Sequence, residues 1–231
     1  MTLMELKEEV CKANLELVRY GLVVETFGNV SGRDPIEQRI LIKPSGVPYD
    51  RMTPDDMVAV DLASGKVLEG KLRPSSDTDT HLELYRAWPQ VMGIAHTHST
   101  YATVWAQACK EIPCLGTTHA DYFFGAIPVT RCLDPEEIQS DYEINTGKVI
   151  VSRVEGIAPL QMPSVLVANH GPFCWGTSAG ESARTAFLLE QVARMAFLSM
   201  QLQPNCPPIA EDLLRRHFLR KHGTSAYYGQ K

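Results

Sequence analysis

Two histidines one residue apart, His96 and His98, close an apolar run, and a third, His170, follows another, Val165-Leu166-Val167-Ala168. If the first run is a strand, residues two apart share a face, so both imidazoles can meet one ion. Alone, the pair is as compatible with packed or surface histidines as with ligands. His170 shifts that balance, because it stands just before Gly171-Pro172, where a strand gives way to a loop of the kind that carries sites. All three lie inside two long segments without Asp, Glu, Lys or Arg, Ala87 to Cys109 and Gly156 to Gly180. Three neutral imidazoles with one position open suit catalytic zinc, with manganese or cobalt able to substitute. The other histidines, His81, His119, His217 and His222, read as hydrogen-bonded or solvated side chains.

Three short segments combine small donors with a glycine or a nearby cation: Gly28-Asn29-Val30-Ser31-Gly32, Lys43-Pro44-Ser45-Gly46 and Arg73-Pro74-Ser75-Ser76. Singly each is an ordinary turn. Together they offer hydroxyls, backbone N–H groups, a helix start after Ser76 and the Lys43 ammonium, which is the equipment of a phosphate site. Neither the P-loop nor the dinucleotide glycine pattern occurs, which speaks against a nucleotide.

The elements that must hold these residues follow from apolar spacing. Leu3, Leu6, Val10, Ala13 and Leu17 repeat at helical intervals up to Gly21. Short runs then predict strands at Leu22 to Val24, Arg39 to Ile42, Met57 to Val60 and Lys66 to Leu68, with a hairpin connection at 61–65. Ser76 and Asp79 fit a capping box opening a helix that Pro89 ends. Strands are expected at Val91 to His98, Pro128 to Arg131 and Val165 to Ala168. Helices are expected at Tyr101 to Ala108, Pro135 to Tyr142, Gly180 to Gln201 (the longest) and Asp212 to Lys221. The expectation is a single α/β domain over 1–231, with a central mixed or antiparallel sheet flanked by helices on both faces.

Composition narrows the function. The 231 residues carry a net charge of −5 and 44% hydrophobic residues. That is ordinary for a globular domain, and the acidity argues against a nucleic-acid backbone as partner. The six cysteines are too sparse for a disulfide scaffold and read as reduced, mostly buried thiols. The charged first nine residues lack the apolar core of a secretory signal, and neither uncharged segment is uninterrupted enough to span a membrane. A cytoplasmic protein is expected.

Gly28-Asn29-Val30-Ser31, Lys43-Pro44-Ser45-Gly46, Arg73-Pro74-Ser75-Ser76-Asp77, His96-Thr97-His98-Ser99, Gly116-Thr117-Thr118-His119-Ala120-Asp121-Tyr122, Asn169-His170-Gly171-Pro172 and the tail from Lys221 to Gln230 together resemble the bacterial L-ribulose-5-phosphate 4-epimerases of the class II aldolase and epimerase superfamily. The likeness runs nearly end to end. It implies a homotetramer with active sites between subunits, and zinc held by His96, His98 and His170 with Asp77 as a candidate fourth ligand. It also implies a substrate phosphate held by Asn29, Lys43, Ser45, Gly46, Ser75 and Ser76. Asp121 and Tyr228 are implied as the acid/base pair, Tyr228 coming from a neighbour's tail at about 212–231. His217 is a second-tier candidate near them. Read without the likeness, Tyr228 anchors the C-terminus and Asp121 is a loop carboxylate.

The implied substrate is a phosphorylated ketopentose. Inverting C4 of a 2-ketose cannot use simple proton exchange, because that hydrogen is not next to the carbonyl. Cleaving C3–C4 in a retro-aldol step and re-forming the bond on the other aldehyde face does invert it, and two faces call for two acid/base groups. One rival is a class II aldolase acting on a ketose 1-phosphate, in which a Glu base is expected where this chain has Asp77. Another is an interaction module like the adducin head, which is expected to lack the metal histidines.

Overall fold

The computed structural model describes residues 1–34, 36–223 and 226–227. Seven strands form one sheet in the order β4-β3-β2-β1-β5-β7-β6. They are β1 (Asn29–Asp34), β2 (Arg39–Ile42), β3 (Val58–Asp61), β4 (Val67–Glu69), β5 (Gly93–His96), β6 (Ser164–Leu166) and β7 (Pro172–Gly176). Every neighbouring pair is antiparallel. The sheet therefore does not mix directions; the one parallel pairing among the described residues is an isolated bridge between Val129 and Leu166. That bridge is all that forms of the strand expected at Pro128 to Arg131. No strand forms at Leu22 to Val24, where Leu22 instead closes off the first helix by donating to the Leu17 carbonyl.

Helices cover both faces, so both sides of each central strand are apolar. Leu41, Ala59, Ala95 and Cys174 join one buried cluster with residues of α1 (Leu3–Arg19), α3 (Thr100–Gln107) and α7 (Ala179–Leu202). Their immediate neighbours Ile40, Ile42, Val58, Val60, Ile94, Phe173 and Trp175 join the other, with residues of α2 (Thr78–Ala87) and α6 (Tyr142–Arg153). This is the two-residue alternation of a strand, hidden in the sequence because neither face meets water. The remaining helices are α4 (Thr117–Ala120), α5 (Pro135–Gln139) and α8 (Glu211–His222). Helix α5 stops at Gln139, short of the expected Tyr142, which instead opens α6.

Register brings the chemistry to one end of the sheet. Asn29, first in β1, pairs with His96, last in β5, and His96 pairs on its other side with Phe173 of β7. Gly28 precedes this point at φ +89°, and a Cβ there would stand 3.0 Å from the His96 carbonyl oxygen, so glycine is needed for both conformation and space.

Candidate metal centre and active site

His98 lies two residues beyond the end of β5, so the shared-face argument from one strand does not place it. The loop after the strand nevertheless turns its ring back, and His98 Nε2 sits 3.1 Å from His96 Nε2. His170 reaches the same point from the turn between β6 and β7. Ring centroids are 4.7 to 5.0 Å apart, with planes 68° to 77° from one another. Three imidazoles converging nearly edge to face in this way present nitrogens to one point rather than stacking.

A divalent ion fits this donor set. The ligand atoms lie within 4.8 Å of one another. Tetrahedral zinc with bonds near 2.05 Å would separate two ring nitrogens by about 3.3 Å, close to the spacing seen. His96 Nδ1 lies 2.9 Å from the Pro172 carbonyl oxygen, which can only accept, so the proton belongs on Nδ1 and the Nε2 lone pair faces the other histidines. Phe173 stacks on the same ring at 4.2 Å. Burial pushes His170 down to about 3 and lowers His98, keeping both neutral and able to bind a cation.

Asp77 occupies the N-cap position of α2, yet its side chain caps nothing. The expected box between Ser76 and Asp79 does not form. The Asp77 carboxylate instead accepts from Asn29 Nδ2 at 2.6 Å. Burial raises its pKa, but His96, His81 and the Asn29 amide outweigh that and hold the group below its ordinary value. Asn29 Nδ2 also reaches Ser75 Oγ at 3.0 Å, and its own Oδ1 is buried without a partner.

The donor segments expected to hold phosphate are brought together. Ser45 N–H donates to the Arg73 carbonyl and Ser75 N–H to the Lys43 carbonyl, so segments 43–46 and 73–76 run side by side. The Lys43 side chain is buried, with carbonyls of Thr26 and Pro44 at 3.3 to 3.4 Å and the Tyr49 ring 4.7 Å away. Among the described residues no carboxylate pairs with it. Burial lowers its pKa. Asn29, Lys43, Ser45, Gly46, Ser75, Ser76, Asp77 and the three histidines all line one cavity of about 420 Å³.

The same cavity contains residues that the sequence pattern did not single out. Tyr142 and Glu143, at the start of α6, line it, and Tyr142 Oη lies 3.4 Å from His170 Nδ1. Their position at a helix start facing a strand end was hidden because α6 itself was not foreseen. His81 is fully buried behind Asp77, with Nδ1 2.7 Å from Ser31 Oγ, which continues to Tyr85 Oη at 2.8 Å. Burial pushes His81 down to about 3. His119 and His222 bond to the carbonyls of Gly125 and Asp121.

Asp121 does not line this cavity. It sits at the end of α4, where Arg220 of α8 grips it with two nitrogens at 3.0 and 2.7 Å, and His217 Nδ1 lies 3.0 Å away. Lys221 Nζ is 3.4 Å from the same carboxylate. Tyr228 lies outside the described residues.

An antiparallel sheet wrapped on both sides thus carries, at one end, three converging histidines suited to a divalent ion beside a set of hydroxyl, amide and ammonium groups. The chain belongs to the class II aldolase and adducin N-terminal domain family, whose model matches residues 8–197. It is 54% identical over 227 residues to the L-ribulose-5-phosphate 4-epimerase UlaF of Salmonella paratyphi A, covering 98% of this chain and 99% of that protein. The UlaF protein of Salmonella typhi is equally similar. Among solved structures, an L-fuculose 1-phosphate aldolase superposes with TM-score 0.78 at 25% identity, covering 92% of this chain and 94% of the other. The L-fuculose 1-phosphate aldolase of Glaciozyma antarctica PI12 shares the fold at TM-score 0.77 and 21% identity, covering 97% and 85%.

Proposed function

We propose that the chain is a zinc-dependent, cytoplasmic epimerase that interconverts L-ribulose 5-phosphate and D-xylulose 5-phosphate by breaking and re-forming C3–C4. The observation that carries this is the shared cavity: the histidine triad and the Asn29, Lys43, Ser45, Gly46, Ser75 and Ser76 cradle line the same hollow. The 54% identity to the UlaF epimerases supports the choice over an aldolase, because the aldolase likeness stands at 25%.

His96, His98 and His170 would hold a zinc ion, with Asp77 as a candidate fourth ligand, and the ion would supply Lewis acidity that lowers the cost of negative charge on the ketose oxygens. The chain supplies the rest. Lys43, Ser45, Ser75, Ser76 and the Gly46 backbone fix the phosphate end, and Asn29 links that cradle to Asp77. Held at both ends, the substrate can lose and regain the C3–C4 bond without releasing its halves, and the aldehyde half turns between the two steps. One group must take the C4 hydroxyl proton on one face and another must return a proton on the opposite face.

Asp121 and Tyr228 are assigned these roles, with Tyr228 supplied by a neighbouring subunit's tail in a homotetramer. Asp121 bonds to His217 and Arg220 of α8, the helix that precedes Tyr228 in the chain. The test is an assay on purified, zinc-loaded protein with L-ribulose 5-phosphate. Formation of D-xylulose 5-phosphate is expected. Stoichiometric release of glycolaldehyde phosphate and dihydroxyacetone would mark the protein as an aldolase instead.

A further inference from the structure

Burial of the thiols is not uniform. Cys11, Cys114 and Cys174 are buried, whereas Cys109 and Cys132 are exposed and their sulfurs lie 4.0 Å apart. Both touch one side chain. Cys109 Sγ lies 3.6 Å from Asn169 Oδ1, and Asn169 Nδ2 lies 3.3 Å from Cys132 Sγ. Asn169 occupies the left-handed region at φ +62°, in the turn that carries the next residue, His170. Its backbone N–H donates to the Ala106 carbonyl of α3, and Ala168 N–H donates to Thr130 Oγ1, so this turn is braced by the two segments that carry the cysteines. Cys109 is itself at φ +51°, just past the end of α3.

We infer that Cys109 and Cys132 form a reversible disulfide when the protein meets hydrogen peroxide, and that closing it loosens His170 through Asn169. A bond near 2.05 Å requires the sulfurs to approach by about 2 Å, within reach of χ1 rotation and a small loop shift because neither cysteine belongs to the sheet. One thiolate attacks a peroxide oxygen, giving a sulfenic acid and water once protons are balanced. The second thiol then attacks that sulfur, and the hydroxyl leaves as water. The sulfur pair loses two electrons and the peroxide bond accepts them. Desolvation, and then the neighbouring Cys132, push the Cys109 thiol up, so oxidation accelerates with rising pH. In a reducing compartment such a bridge is transient, which suits a sensor rather than a staple. Once the sulfurs bond to each other, Asn169 loses the geometry of both side-chain contacts.

The transmission to His170 rests on the metal reading above; the cross-link does not. Full-length zinc-loaded protein is treated with peroxide, digested without reductant and mapped by mass spectrometry, alongside Cys109→Ser and Cys132→Ser. Expected are a Cys109–Cys132 linked peptide, its reversal by dithiothreitol and its absence from both variants. Zinc affinity of the oxidised protein, read by chelator competition, should fall on the order of tenfold, because the turn that positions His170 is no longer braced as in the reduced protein. Sulfinic acid at either cysteine without the linked peptide, or linkage to another cysteine, overturns the bridge. A linked peptide with unchanged zinc affinity overturns the transmission through Asn169. Failure of the reduced protein to bind zinc at all removes the metal reading and the transmission with it, while the linked peptide still judges the bridge.

Discussion

At the scale of single residues, several polar groups of the cavity are fixed by specific hydrogen bonds. The Pro172 carbonyl fixes the proton of His96, and Asn29 ties Asp77 to Ser75. Replacing His98 by Asn removes one ligand from a set of three and should abolish bound zinc by elemental analysis together with turnover, with circular dichroism unchanged. Lys43 gives a pH prediction. Its pKa is lowered by burial below the ordinary value near 10.4. The proposed anion binding needs the charged form, so affinity for inorganic phosphate should be present below that lowered value and be lost as pH rises through it. Competition assays across pH read this directly. Lys43→Met should weaken phosphate by on the order of 2 kcal/mol and flatten the profile.

At the scale of elements, Gly28 at the site and the anchoring of α8 each carry a prediction. Gly28→Ala forces a side chain into positive φ and against the His96 carbonyl, and should cost about 1–3 kcal/mol in urea unfolding. Asp121 is the anchor of α8. Burial raises its pKa, but Arg220, His217 and Lys221 outweigh this and hold it below the ordinary carboxyl value. A depressed folded value means that its stabilisation is complete above about pH 4 and is lost as pH falls through the folded value. Acid should therefore detach α8 early, seen as rising proteolysis of the C-terminal segment. Asp121→Asn should lower the melting temperature as well as activity, so loss of turnover alone does not identify the proton-transfer group.

The histidine triad and most apolar runs were legible in the sequence, because buried strands and a cation site both demand distinctive residue types. Strand β1 was not. Asn29, Ser31 and Gly32 are turn formers by local preference, and only pairing with β2 on one side and β5 on the other makes them a central strand. Helix α6 was obscured by Gly147, whose missing Cβ lets α2 approach so closely that a methyl there would stand 2.5 Å from Glu83 Cβ. His98 joins the other two histidines for a reason other than the one expected, since the loop rather than strand periodicity turns it inward.

At the scale of the whole molecule, the proposed sharing of sites makes a sharp prediction. His98→Asn and Tyr228→Phe homo-oligomers should each be inactive, yet subunits unfolded and refolded together should recover up to about a quarter of wild-type activity, because random mixing pairs an intact metal half with an intact tail at that frequency. Recovery of none, with mixed oligomers verified by mass, would place Tyr228 in its own chain's site, and a Tyr228→Phe homo-oligomer at the wild-type rate would remove it from catalysis.

The pairing of Asn29, His96 and Phe173 across three strands also bears on how the protein matures. These residues come from distant parts of the chain, and a slip of one position in either ladder would turn His96 to the opposite face. The cation site is therefore assembled only after the slowest, most non-local contacts of the fold have formed. A newly made chain must reach its native topology without help from the ion, and metal loading then acts as a final check that the strands have met in the correct alignment, adding stability only to chains that have.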